Sequence, residues 1–132
     1  MSITYQFDVL PNTEAIIDLY NSSTIVRPTN DKDRISNMYA NSNLVATAWH
    51  DDLLVGVARS LTDFSYSCYL SDLAVRKEYQ HQGIGKQLVW LTKQKLGDQC
   101  MLLLLAAPAA IEYYPKIGMD KVDSGFIIKR EQ

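Results

Sequence analysis

Apolar and polar positions alternate through residues 3–9, ITYQFDV, and then recur every three to four residues. The first pattern predicts a strand from Ile3 to Val9. The second, in NTEAIIDLYNSS, sets Ile16, Ile17, Leu19 and Tyr20 on one helical face, with Asn12 or Thr13 able to cap it. TIVRPTN is a loop in which Pro28 pushes Arg27 towards an extended conformation. DKDRISNMYANS opens with acids and collects Ile35, Met38 and Tyr39 on one side, so a second, short and exposed helix is expected. The period then falls to two. LVATAWH, LLVGVARSLTDF and YSCYLSDLAV read as three strands, divided by Asp51-Asp52 and by a turn around Asp63 to Tyr66. Such short connections predict an antiparallel meander.

Helical spacing returns in IGKQLVWLTKQKL, with Ile84, Leu88, Leu91 and Lys95 on one stripe and Gly97 ending it. CMLLLLAA has no polar face and is expected to be a strand buried on both sides by helices. PAAIEYYPKIG reads as a helix from Pro108 to a stop at Gly118, its last turn distorted by Pro115. MDKV and GFIIKR are expected to close the chain as two strands about a turn at Asp123 to Gly125. The order is β-α-α-β-β-β-α-β-α-β-β: an α/β chain with a mixed sheet, helices on both faces, and one domain over residues 1–132.

Composition narrows the function. A net charge of -2 with no run of Lys or Arg argues against nucleic acid as a partner. The most apolar stretch, CMLLLLAAPAAI, falls short of the about 20 residues a membrane span needs. MSITYQFDVL has no basic segment leading into an apolar run, so no signal peptide and no membrane partner are expected, and the location is read as cytoplasmic. Cys68 and Cys100 lie far apart in apolar stretches and read as buried, reduced thiols. No metal is expected, because His50, Asp51 and Asp52 are better explained by a hairpin turn.

The candidate chemistry lies in EYQHQGIGKQL, residues 78–88. A Walker loop would need Ser or Thr after the lysine, but Gln87 follows Lys86. A dinucleotide fingerprint would need a third glycine where Leu88 stands. What remains is a strand, a short connection and QHQGIG opening a long helix. That arrangement suits an anion held by backbone N–H groups, and equally a tight β-to-α turn without a ligand.

Three features together resemble the GNAT superfamily of N-acetyltransferases. Gln80-His81-Gln82-Gly83-Ile84-Gly85 is similar to the core of its motif A. LSDLAVRKEY before it looks like the family's fourth strand, and AAIEYYPKIGM after it is similar to motif B. The expected element order is also the family's, with the fourth and fifth strands splayed. The resemblance implies acetyl-CoA as co-substrate, without a metal. Its pyrophosphate would rest on the amides of Gln80, His81, Gln82, Gly83, Ile84, Gly85 and Lys86, and its pantetheine arm beside Leu73, Ala74 and Val75. The implied reaction is direct acetyl transfer to a primary amine of a small molecule or peptide. A backbone N–H near Leu73 would serve the oxyanion, and Tyr114, the motif B tyrosine, the leaving thiolate. Tyr113 is read as packing.

Asp72 matches a frequent family aspartate and is a candidate for a catalytic or a structural role. Ser71 stands where many members carry Glu, Ala107 where many carry Asn, and Met119 where Phe is usual. Arg27, Trp49 and Ser71 are the candidate acceptor contacts implied by the fold. A homodimer through the exposed final strands is an open option. The alternative function is a CoA-binding regulatory or partner protein of the same fold without turnover, suggested by the polar groups missing at Ser71 and Ala107.

Overall fold

Two side-chain oxygens start the helical part of the chain. Asn12 accepts a hydrogen bond from the Ala15 N–H (2.8 Å) and Asp31 from the Arg34 N–H (3.1 Å), each satisfying an amide with no partner inside its helix. The computed structural model describes residues 2–132. Its elements run β1 (Thr4–Gln6), α1 (Thr13–Ser22), α2 (Lys32–Ala40), β2 (Leu44–His50), β3 (Leu53–Thr62), β4 (Ser67–Val75), α3 (Ile84–Leu96), β5 (Met101–Leu103) and α4 (Tyr113–Lys116). Single 3-10 turns lie at Lys77–Tyr79 and Pro108–Ala110.

The strands form one sheet in the order β1-β2-β3-β4-β5. The first four are antiparallel neighbours and β5 is parallel to β4. The β3–β4 turn is held by the Asp63 carboxylate, which accepts from the N–H groups of Ser65, Tyr66 and Ser67. That is why a short polar run suffices to reverse the chain.

Two bulges decide which side chains face which way. Ala48 pairs with Gly56 and Trp49 with Leu54, leaving Val55 as the extra residue in β3. Arg59 pairs with Asp72 and Ser60 with Leu70, leaving Ser71 extra in β4. An extra residue inverts the in–out alternation beyond it. Leu70 therefore packs with Ile84, Leu88 and Val89 on the α3 face, while Ala74 joins Ile16, Leu19, Ile35 and Val57 on the α1–α2 face.

Helix α3 buries Ile84, Leu88, Val89, Thr92 and Leu96; Leu91 is half-buried and Lys95 exposed, so the stripe is rotated from the one expected. Thr92 is tolerated there because its hydroxyl donates to the Leu88 carbonyl (2.7 Å). Cys68 and Cys100 are free and buried in one cluster with Leu44 and Leu96.

The mixed α/β class and the element order through β5 match expectation. Four details differ. Strand β1 is shorter than Ile3 to Val9. The helix expected over residues 108–118 is a 3-10 turn followed by one turn of α4, in which Pro115 is third and so needs no helical N–H partner. The two closing strands do not form: residues after Lys116 carry no regular structure, and Phe126 and Ile128 are 99% exposed. Strand β5 is consequently the sheet edge rather than a strand buried on both faces, with Met101, Leu103 and Leu105 exposed.

Helix α3 approaches the sheet closely over Gly56, where an added Cβ would lie 3.0 Å from Leu88 Cδ1 and 3.2 Å from Ile84 Cγ2. Gly56→Val is expected to destabilise the fold by about 2 kcal/mol through overpacking, read as a lower urea midpoint at unchanged m-value.

Candidate active site

Beyond Tyr69, strand β4 loses its neighbour. Pairing with β5 covers only Ser67, Cys68 and Tyr69, and β5 ends at Leu103. From Leu70 to Val75 the outer edge of β4 has no strand against it. The direction of its backbone groups follows from one bond. The Arg76 N–H donates to the Val55 carbonyl of β3 (2.8 Å), so Ala74 and Asp72 also bond towards β3, and Leu73 and Val75 turn their N–H and C=O outwards. The outward Val75 carbonyl accepts from Gln80 Nε2 at 2.9 Å. The outward Leu73 N–H faces the split between the strands.

Helix α3 begins at the end of the same strand. Its N-cap is Gly83, with φ +82, no capping side chain and no acid in the first turn. Helices α1 and α2 each have both a side-chain cap and a first-turn acid, Glu14 or Asp33. Nothing lies within 4 Å of a Cβ added at Gly83, so the space before the helix is open. The uncapped amides, the helix dipole and Lys86 in the first turn all favour an anion there.

Gln80 and Tyr113 take parts in this region that their sequence positions do not reveal. The Gln80 side chain is spent on Val75 and its N–H reaches the Lys77 carbonyl (3.3 Å), so neither is free for a ligand. Tyr113, read from the sequence as packing, brings its hydroxyl to the first turn of α3, 2.9 Å from where a Cβ on Gly85 would stand. Burial raises the Tyr113 pKa, while the Lys86 backbone N–H, directed at its oxygen, opposes the rise. Tyr114 packs edge-on against the Tyr113 ring, centroids 5.2 Å apart, and joins the α3-face core. Burial, then the neighbouring Tyr113, raises its pKa, so its hydroxyl stays protonated at neutral pH. His81 and Gln82 are exposed, Ile84 is buried under the helix, and Leu73 and Val75 face α3 while Ala74 faces α1 and α2.

Asp72 lies on the α1–α2 face with no exposed side-chain surface. Its Oδ2 accepts from the Tyr20 hydroxyl (2.7 Å) and Arg59 Nε (2.8 Å), and its Oδ1 from Arg27 Nε (2.6 Å). Tyr39 extends the network, its hydroxyl 2.5 Å from that of Tyr20. Burial alone would raise the Asp72 pKa. The hydrogen bond and charge of Arg59, the charge of Arg27 and the Tyr20 hydroxyl outweigh it and hold the carboxyl below the usual carboxylate range. A carboxylate held this way is a poor proton acceptor. Ser71, the bulged residue, accepts at Oγ from Arg59 Nη2 (2.9 Å) and at its carbonyl from Arg27 Nη2 (2.9 Å). Arg27, Ser71 and Asp72 therefore come together. Trp49 does not join them: it sits on β2 opposite Leu54, its Nε1 donating to Thr47 Oγ1, roughly 18 Å from Ser71 by strand rise and spacing.

The sequence pattern of the Acetyltransferase (GNAT) family matches residues 13–119. Among curated proteins, the uncharacterized N-acetyltransferase ycf52 of Pyropia yezoensis is 28% identical over 117 residues, covering 87% of this chain and 58% of that protein. GCN5-related N-acetyltransferase 2, chloroplastic, of Arabidopsis thaliana is 30% identical over 77 residues, covering 54% of this chain and 29% of that protein. The chain thus spans about half the length, or less, of these relatives. Among solved structures, a protein of unknown function from meticillin-resistant Staphylococcus aureus superposes with a TM-score of 0.81 at 20% identity, covering 98% of this chain and 100% of the other. A GNAT family acetyltransferase from Streptococcus pneumoniae gives 0.75 at 22%, covering 99% and 100%. An aminoglycoside N-acetyltransferase in complex with CoA gives 0.74 at 12%, covering 99% and 96%. At these identities the structural likeness establishes the fold.

Asp72→Asn is expected to cost about 3 kcal/mol at pH 7, because two arginines lose a buried counter-charge. The folded pKa of Asp72 lies below its unfolded value of about 3.9, so its contribution is complete above that pH and is lost as pH falls towards the folded value. Urea midpoints of wild type and variant should therefore converge as pH falls below about 4. Gly85→Ala should cost about 1 kcal/mol, and Tyr113→Phe in the same chain should recover most of it, read as coupling in a double-mutant cycle.

Proposed function

Since the chain belongs to the GNAT family of acetyltransferases, we propose that it transfers the acetyl group of acetyl-CoA to a primary amine of a small molecule or peptide by direct attack. One observation carries the proposal. An uncapped, open helix start at Gly83 adjoins a strand whose outward Leu73 N–H faces an unpaired edge. Acetyl-CoA supplies an acyl group activated as a thioester; the chain's own residues supply the rest.

The free amides from His81 to Gly85 would receive the pyrophosphate, with Lys86 adding charge. The pantetheine arm, which carries amides, would lie along the unpaired edge of β4 at Leu73, Ala74 and Val75, where outward backbone groups can bond to it as a strand would. The Leu73 N–H is the donor we assign to negative charge developing on the acyl oxygen. Tyr114 is the proton donor to the departing thiolate; it is protonated at neutral pH, although burial, by raising its pKa, makes it a weaker acid than a free tyrosine. Asp72 is assigned a positioning role instead of a basic one. Its charge is already shared by two arginines, so the amine must lose its proton to solvent or another group.

Among the described residues no helix is long and apolar enough to cross a membrane, and no group of three His, Cys, Asp or Glu could hold a metal ion. A cytoplasmic location belongs to the proposal. So does a homodimer across the β5 edge, supported by the exposure of Leu103, Leu105, Phe126 and Ile128. A CoA-binding protein without turnover is the second reading, favoured by the absence of a free carboxylate on Asp72.

Acetyl-CoA should raise the melting temperature in a concentration-dependent way. Gly83→Glu should abolish that shift by filling and charging the cradle. Gly97→Glu is the control: Gly97 has the same φ of +82 and equally open surroundings, and its ψ of -173, against 5 at Gly83, makes it the more strained of the two, so a shift that persists there shows that backbone strain alone does not remove it. With an amine substrate, Tyr114→Phe should lower kcat by about 100-fold while the thermal shift by acetyl-CoA persists. A shift without thiol release from any amine would favour the second reading, and no shift would sink both.

A further inference from the structure

Asp72 carries one negative charge, and its two guanidinium partners carry two positive ones. Among the described residues neither Arg27 nor Arg59 pairs with any other carboxylate. Tyr20 and Tyr39, the remaining members, are kept neutral chiefly by burial. The cluster therefore holds one positive charge in excess. Arg59 is almost enclosed, with 8% of its side chain exposed, whereas Arg27 has 29% exposed, so the excess charge reaches the surface at Arg27.

The placement of Arg27 gives that charge a use. Its Nη2 bonds to the Ser71 carbonyl, at the bulge between Tyr69, the last residue paired to β5, and Leu73, whose N–H faces the split. Arg27 and Asp72 lie on the α1–α2 face, and the open start of α3 lies on the opposite one. A donor anchored at α3 enters the split from its own face, so the acceptor has to come from the α1–α2 side, past Arg27. A guanidinium has five N–H groups. Three are spent, on Asp72, on the Val26 carbonyl and on Ser71, which leaves one on each terminal nitrogen. The three bonds fix the plane of the group, so its remaining donors are already aligned for oxygen acceptors.

We propose that Arg27 is a specificity-determining residue that selects acceptors whose amine is accompanied by an anionic oxygen group, a carboxylate or a phosphate, bound by the two unused N–H groups. The inference rests on the acetyl-transfer reading above. A polycationic acceptor is repelled by the same excess charge that draws an anionic one. Arginine suits the task because it keeps its charge while bonded to Asp72 and presents paired donors to carboxylate or phosphate.

The test is thiol release from acetyl-CoA with matched acceptors: glycine against glycinamide, phosphoethanolamine against ethanolamine, and spermidine as the polycation. In wild type, kcat/KM for the anionic member of at least one pair should exceed that of its neutral partner by about tenfold or more, and spermidine should be the poorest. The pair showing the preference identifies carboxylate or phosphate as the group recognised. In Arg27→Gln that ratio should fall to about one, chiefly through KM for the anionic acceptor, and Arg27→Lys should recover part of it. Circular dichroism and the acetyl-CoA thermal shift establish that each variant is folded and binds the donor. If Arg27→Gln does not fold, the Lys variant decides, since loss of the paired donors must still reduce the ratio. Preference for the neutral or cationic acceptors, or a ratio unchanged by both substitutions, overturns the inference and leaves acetyl transfer standing. No turnover with any of the five amines overturns the inference, while the acetyl-CoA thermal shift decides separately whether the donor reading stands.

Discussion

A carboxylate with no exposed surface joins the sheet of this protein to the layer formed by α1 and the loop before α2. Asp72 of β4 accepts from Arg59 of β3, from Tyr20 of α1 and from Arg27 in the loop before α2. An ionised group in that position is tolerable because its strong bonds come from two guanidinium groups and the buried Tyr20 hydroxyl, with a longer one from the half-buried Ser71 hydroxyl (3.4 Å). The helices of the α1–α2 face are thereby keyed to one point on the sheet. Ser71 takes two further bonds from the same arginines, so the strand is held at its irregular residue as well. The specificity assigned to Arg27 and the structural role of Asp72 are two ends of this one network.

The network exists because β4 carries an extra residue. Cys68 and Leu70 point to the α3 side, and a regular strand would send Asp72 and Ala74 the same way. The bulge at Ser71 turns them to the α1–α2 side, where Tyr20 and the arginines wait. The same step leaves Leu73 on the α3 side with its N–H directed at the split. One inserted residue therefore separates a charged surface on the α1–α2 side from an unpaired edge on the α3 side of a single strand. The splay of β4 and β5 completes the arrangement, since a continuous parallel pairing would consume the Leu73 N–H.

The third constraint is at α3. Its body packs closely on the sheet, with Gly56 allowing Leu88 and Ile84 to press on β3. Its start is left without the side-chain cap and acid that α1 and α2 both have. A helix start with uncapped amides is preorganised for an anion, because no side chain has to be moved from Gly83 before one could bind. The Tyr113 hydroxyl beside Gly85 closes one flank of that site, so the second glycine of QGIG answers to a tyrosine 28 positions later in sequence, about one helix and one strand away.

Much of this was legible in the chain as text. Period-two runs located β2, β3 and β4, helical spacing located α1, α2 and α3, and QHQGIG before an amphipathic run marked the uncapped start of α3. These are local properties: backbone propensity, capping and glycine's freedom at positive φ act within a few residues. The closing strands were also well written in sequence, yet GFIIKR stays unpaired, because strand propensity produces a strand only where another edge accepts its hydrogen bonds. Asp72 could not be assigned from its motif, since its partners stand 13, 45 and 52 residues away and its direction depends on a bulge. Gln80 looked like a ligand contact and proved to be a brace for Val75. The sequence alone determined where the elements from α1 to α3 lie and which turn leaves its helix amides uncapped. The tertiary structure decided which face each β4 side chain serves and which polar groups remain free, because both depend on pairing between segments distant in the chain.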